Sequence, residues 1–155
     1  MLHLIPAPLH RLALRLGHKA RKRWWRLSRK SRSGVSVIAL DEHKRILLVR
    51  HSYGSGMWTL PGGGIGGGED AEACARREMQ EELGCGLEEL TLAVTFDEEL
   101  YGARHRAFVF IGRFVSEPKA DGREIIDLGW FALDALPQGL SNLAAERLRR
   151  AFPGD

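Results

Sequence analysis

The chain has 155 residues, 44% of them hydrophobic, with 23 Lys or Arg against 20 Asp or Glu and a formal net charge of +3. That is enough for one domain with a proper core, while no apolar run has the length of a bilayer span and two cysteines are too few for a disulfide framework. The charge is unevenly spread: residues 1–40 hold ten Lys or Arg and no acid, and the other 115 carry thirteen bases against all twenty acids, a net of −7.

The acid-free start is expected to be an extension over 1–33 ahead of a domain over 34–155. Within it, residues 8–30 predict a helix, entered at Pro6 and Pro8, with Leu9, Leu12, Leu16, Trp24 and Leu27 forming an apolar stripe among arginines. Arg11 and Arg15 break what a secretory signal would need as an apolar core. The segment can be read as an organellar transit peptide, a helix resting on an anionic membrane surface, a contact for RNA phosphates, or a helix packed on the domain with a solvated basic face.

From Gly34 the pattern changes. GVSVIAL over 34–40, a turn at Asp41–Lys44 and RILLVR over 45–50 predict a hairpin of buried strands. MWTL over 57–60 predicts a short strand. The glycines at 62–64 and 66–68 read as a loop, followed by a helix over 70–83 that stops at Gly84. Residues 90–96 and 105–115 predict two further strands joined through DEELYGAR, and 125–133 a further strand or extended piece. Ser141 is placed to cap a closing helix that runs to about Phe152. Cys74 and Cys85, eleven residues apart, would stand about 16 Å apart along a helix, beyond bridging distance. A reducing, cytoplasmic setting is therefore expected. Trp58 and Trp130 sit in apolar stretches and are expected to pack in the core, and His105, at the start of a strand, is expected to be structural.

The helix over 70–83 carries the chemistry. Glu78, Glu81 and Glu82 stand at i, i+3 and i+4, on one face. Three crowded carboxylates repel one another, and a divalent cation reverses that sign. Hard oxygen ligands suit Mg²⁺ or Mn²⁺, ions that bind through a few carboxylates together with substrate phosphates. Such an ion neutralises phosphate oxygens and lowers the pKa of an attacking water. The preceding glycines let the backbone approach a metal or phosphate closely. Gly62, Gly64 and Gly67 formally match GxGxxG, but the strand before them is short and the helix after them is charged where a dinucleotide fold packs it on a sheet. No Gly-Lys-Ser/Thr follows them, which excludes a Walker loop.

Gly63, five residues, Glu69, seven residues, Arg77-Glu78, apolar Met79, one residue, Glu81-Glu82, one residue, Gly84 and Cys85 together resemble the Nudix box. Cys85 fills a slot where an aliphatic residue is usual, and a buried cysteine serves as a small hydrophobe. The resemblance extends over about Gly34 to Phe152 and is also carried by MWTLPGGG and GWFALDALP. It implies an α/β fold, an α/β/α sandwich around a mixed β-sheet, to which the basic N-terminal helix would be added. It further implies that the carbonyl of Gly63 is a metal ligand alongside Glu78, Glu81 and Glu82, and that Arg77 and Glu69 orient the ligating carboxylates.

A general base is also needed for attack at phosphorus. Some relatives use a box glutamate and others one outside it. Glu124, six residues before Trp130, matches the outside position of several branches, with Glu98 and Glu99 as competitors. Arg50 and Tyr53, after the second strand with His51 between them, are candidates to hold a far phosphate and to stack on a base. Enzymes acting on ADP-sugars commonly carry proline at the position of Tyr101, whereas tyrosine there is associated with the diadenosine-polyphosphate branch. LPGGG stands where RNA-cap-removing bacterial members show PQGG. The expectation is a metal-dependent hydrolase of nucleoside diphosphates linked to another moiety X: a dinucleoside polyphosphate, a nucleotide-sugar or a modified nucleoside triphosphate. The alternative is a non-catalytic nucleotide- or RNA-binding regulator on the same fold. A homodimer is compatible with either.

Overall fold

The computed structural model describes residues 32–154 and four helical positions before them, Pro8, Leu9, Ala13 and Gly17. The rest of the basic helix expected over 8–30 lies outside the described residues. Seven strands and two helices follow in the order β1 (Arg32–Leu40), β2 (Ile46–His51), β3 (Trp58–Thr59), β4 (Gly62–Gly64), α1 (Ala71–Leu83), β5 (Leu87–Leu100), β6 (Ala103–Phe114), β7 (Ile125–Phe131) and α2 (Asn142–Ala151). They form one mixed sheet in the order β3-β2-β1-β6-β5, with β4 added to β1 and β7 added to β2. β1 runs parallel to β6 over nine residue pairs and antiparallel to β4.

Both faces of the central strands are covered, which is why they read as continuous apolar runs rather than alternating ones. Val35, Val37, Ala39, Leu47 and Val49 face α1 and pack with its Cys74, Ala75, Met79 and Leu83. Ile38, Ile46 and Leu48 face the other way, onto Ala144 and Leu148 of α2. Met79 and Leu48 are wholly buried, and each such side chain stabilises the fold by about 1.5–3 kcal/mol. Helix α1 begins where Asp70 accepts a hydrogen bond from the Ala73 amide at 3.1 Å and ends at Gly84, in the left-handed conformation. Ser141 caps α2 in the same way, through the Ala144 amide.

Three details differ from the sequence expectation. β1 and β2 meet in register only at Leu40 and Ile46, because the chain beyond β3 takes the rest of that edge: Val37 donates to Pro61 O and Gly62–Gly64 pair with Gly34–Ser36. The glycine run is therefore in part a strand. Gly62 has φ 150°, and a methyl there would strike the Val35 carbonyl, so only glycine brings the two backbones this close. DEELYGAR is strand rather than a joining loop, since β5 and β6 continue to a two-residue turn at Tyr101 and Gly102 with φ 54° and 76°. Positive φ at both positions matches the strand twist of a tight hairpin. Trp58 and Trp130 lie at the margins of the two core clusters.

His105 is structural, as expected, but with a charged partner. It is buried, and its Nδ1 lies 2.9 Å from Glu98 Oε1, which also accepts from Arg147 Nη2 at 2.8 Å; Arg147 Nη1 donates to Ser36 Oγ at 2.6 Å. Burial works to raise the Glu98 pKa, but hydrogen bonds and charge from His105 and Arg147 overcome it and hold the carboxyl below its ordinary range. Glu98→Ala leaves the Arg147 charge buried without its counter-ion, so a stability loss of about 3–5 kcal/mol is expected, read as a fall in the urea midpoint. A loss below about 1 kcal/mol would show that the network is solvated in solution.

Candidate active site

The site forms where β4 passes in front of α1. A methyl on Gly63 would meet the carboxylate of Glu78, so the glycine backbone and the first helix carboxylate lie in contact, and a larger residue there would push that carboxylate aside. Arg77 organises the rest. Its Nε donates to Glu69 Oε1 at 2.7 Å and its Nη2 to Glu69 Oε2 at 3.1 Å, its Nη1 reaches Glu78 at 3.1 Å and Glu81 at 3.0 Å, and Nη2 also meets the Gly64 carbonyl at 3.3 Å. A rigid guanidinium fork suits this role, because its donors point in fixed directions towards several acceptors. The hydrogen bonds from Arg77, and then the Gly66 amide, pull the Glu69 pKa down to about 2.

Glu82 lies deeper, 2% exposed. Its Oε1 is 3.0 Å from His51 Nε2 and its Oε2 accepts from the Gly62 amide at 3.3 Å. The His51 ring in turn sits 4.9 Å from that of Tyr53. Burial, then the charge of Glu82, pushes the Glu78 pKa up to about 7 against the opposing charge of Arg77. Glu124 enters from the loop before β7: Asp121 Oδ1 accepts from the amides of Arg123, Glu124 and Ile125, and the Glu124 carbonyl accepts from Ser52 N at 2.8 Å. Burial and then the charges of Glu82 and Asp121 raise its pKa, while His51 works the other way.

Of the residues singled out in the sequence, the fold thus brings together Gly63, Glu69, Arg77, Glu78, Glu81, Glu82 and Glu124, with Tyr53 close by. Glu98 is engaged on the opposite face of the sheet and Glu99 is exposed on β5. Arg50 also turns to that opposite face, where its Nε donates to Gly56 O at 2.9 Å and its guanidinium lies 5.7 Å from the Trp58 ring. Tyr101 occupies the hairpin turn at the end of the sheet where Arg32 pairs with His105, the same end as Gly64. His51 joins the site by a contact spanning 31 residues. Its place at a strand end next to the glycine-rich segment was its only sequence signal.

The donors available to a cation are all oxygens, the set preferred by Mg²⁺ and Mn²⁺, and the Gly63–Glu78 contact is a cradle that any side chain would fill. Among the described residues no three His, Cys, Asp or Glu side chains converge tightly enough to enclose an ion as they stand. The reason is visible in the pairing: Glu78 and Glu81 are drawn onto Arg77, and Glu82 onto His51. Arg77 and His51 take up the carboxylates that a cation would otherwise share, and the all-oxygen donor set is of the kind a hard divalent ion takes. A pH effect follows. Between about pH 4.5 and 7, folded protein without divalent cation keeps a proton on Glu78 that the unfolded chain has released, so stability falls as pH rises through that window, by up to about 3 kcal/mol. Glu124 adds to it with the same sign. Urea midpoints measured with a chelator at pH 4.5, 6 and 8 should decline, and a flat series would refute the burial of Glu78.

A carboxylate helix behind a glycine strand, on a sheet covered by helices on both faces, is the arrangement that the resemblance of the Gly63–Cys85 segment implies. The NUDIX domain model matches residues 30–153, and the chain belongs to that family. A protein of Bacillus subtilis (strain 168), provisionally named 8-oxo-dGTP diphosphatase, is 34% identical over 106 residues, covering 67% of this chain and 68% of that protein. The ADP-ribose pyrophosphatase of Mycobacterium tuberculosis is 30% identical over 133 residues, covering 78% of this chain but only 57% of its own length. Among solved structures, the MutT NUDIX hydrolase from Burkholderia pseudomallei superposes with a TM-score of 0.71 at 33% identity, covering 79% of this chain and 99% of that one. The chain is thus a Nudix pyrophosphohydrolase, of a family that generally uses divalent cations. Among the described residues no helix is long and apolar enough to cross a membrane.

Proposed function

We propose that the protein cleaves a phosphoanhydride bond in a nucleoside diphosphate linked to another moiety, by attack of water at phosphorus, with Mg²⁺ or Mn²⁺ held by Glu78, Glu81, Glu82 and the Gly63 carbonyl. The observation that carries this reading is the gathering of the box carboxylates against the Gly63 backbone with Glu124 beside them. When bound, the cation neutralises phosphate oxygens and acidifies water. Arg77 and Glu69 keep the helix carboxylates aimed at the glycine strand. Glu124 is our candidate for the general base: it is half-buried beside Glu82, and its raised pKa favours taking up a proton. Tyr53, whose ring lies against His51, is our candidate to stack on a ring of the substrate.

The relatives' names cover chemically different X groups, an oxidised nucleoside triphosphate and a nucleotide-sugar among them, so the substrate class rests on the diphosphate. The deciding experiment is a phosphate-release panel of dinucleoside polyphosphates, nucleotide-sugars and modified nucleoside triphosphates, with Mg²⁺ or Mn²⁺. Turnover of at least one group, abolished by chelator, is expected. Inactivity across the panel with tight nucleotide binding retained would favour a regulator that only binds.

A further inference from the structure

We propose that His51 is a positioning residue for the cation site: it holds Glu82 in its ligating orientation and thereby sets the affinity for the divalent ion. The inference rests on the metal-dependent reading above. Glu82 is buried and gripped from two sides, by His51 Nε2 from β2 at 3.0 Å and by the Gly62 amide from β4 at 3.3 Å. Each carboxylate oxygen therefore has one fixed donor, which leaves its other lone pair directed outward. Removal of one donor frees the carboxylate to rotate.

The imidazole is itself fixed. Its ring packs against Tyr53 at 4.9 Å, tilted by 44°. Its backbone stands opposite Ile125 at the point where the β2–β7 register shifts, between Arg50 and His51. The shift leaves Ile126 without a partner and exposed at 40%, and it puts Ile125 in the core. Irregularities of this kind re-aim side chains beside functional sites. It also lets Ser52 N meet the Glu124 carbonyl, so the strand end that presents His51 to Glu82 also anchors the loop bearing Glu124. One strand end therefore ties together two segments whose carboxylates, Glu82 and Glu124, are 42 positions apart in the sequence: the His51 side chain holds Glu82, and the Ser52 amide holds the backbone of Glu124. Outer partners of this kind typically alter metal affinity by about 10- to 100-fold when removed.

The test is Mn²⁺ binding to the full-length protein, followed by the electron paramagnetic resonance signal of free Mn²⁺, with turnover measured over the same titration. Three variants separate geometry from bulk. His51→Gln places a carboxamide nitrogen near the position of Nε2, His51→Asn carries the same amide but is too short to reach Glu82, and His51→Ala removes the group. Asn and Ala should weaken Mn²⁺ binding by about 10- to 100-fold, with turnover at saturating Mn²⁺ falling far less, and Gln should recover most of the affinity. Equal affinity in the wild type and the Asn variant overturns the proposal, as does a Gln variant no better than Asn. A wild type that binds no Mn²⁺ overturns the metal reading itself, which separates the two failures.

Discussion

Glu82→Gln is expected to lower turnover about a thousandfold, some 4 kcal/mol of activation free energy, while the protein stays folded. The carboxamide has nearly the same shape and can still accept from the Gly62 amide, which now bonds Glu82 Oε2. What it loses is charge. In protein free of divalent cation that loss is a relief, because Glu82 is the strongest charged neighbour raising the pKa of both Glu78 and Glu124. The variant should therefore be at least as stable as the wild type at pH 8 without divalent cation, and its Glu78 should titrate lower. Glu81→Gln tests the same assignment from the exposed side, where Arg77 is the carboxylate's partner among the described residues. Turnover that survives unchanged in both variants, measured at saturating Mg²⁺, would sink the metal assignment.

Arg77→Lys should cost about a hundredfold in turnover, because an ammonium cannot reproduce a fork that serves Glu69, Glu78, Glu81 and the Gly64 carbonyl together. A second signature distinguishes loss of orientation from simple loss of charge. In the wild type the depressed Glu69 pKa contributes stability above about pH 4.5 that is lost as pH falls towards about 2. Without the paired hydrogen bonds Glu69 returns towards its ordinary value, and the acid limb of the stability curve between pH 4.5 and 2 should flatten. A variant with full turnover and an unaltered acid limb would remove Arg77 from the site.

The parts of this site that could be read in the sequence are those set by local geometry. Helical spacing placed Glu78, Glu81 and Glu82 together, and Asp70 and Gly84 marked the ends of their helix, because caps and faces depend on a few neighbouring residues. The strand character of Gly62–Gly64 was not readable, since glycines have low strand preference and only the approach of Val35 and Ser36 makes that backbone extended. The His51–Glu82 contact and the Arg147–Ser36 hydrogen bond, which spans 111 residues, depend on how strands stack in the sheet. Neither His51 nor Arg147 carries a local signal of its distant partner. Arg50 shows the converse: adjacent to His51 in sequence, it projects from the other face of the strand, because side chains alternate.

The pairing of β4 with β1 also bears on how readily the site comes apart. Gly63 stands opposite Val35, whose strand is held on its other edge by β6 along its whole length. Amides in such a strand exchange with solvent only when much of the domain opens. The glycine strand is short and carries no side chains, so left to itself it would fray within a turn of the chain. Docked on β1, it shares the opening free energy of the core. Its backbone therefore holds its position between turnovers, with Gly63 kept against the Glu78 carboxylate.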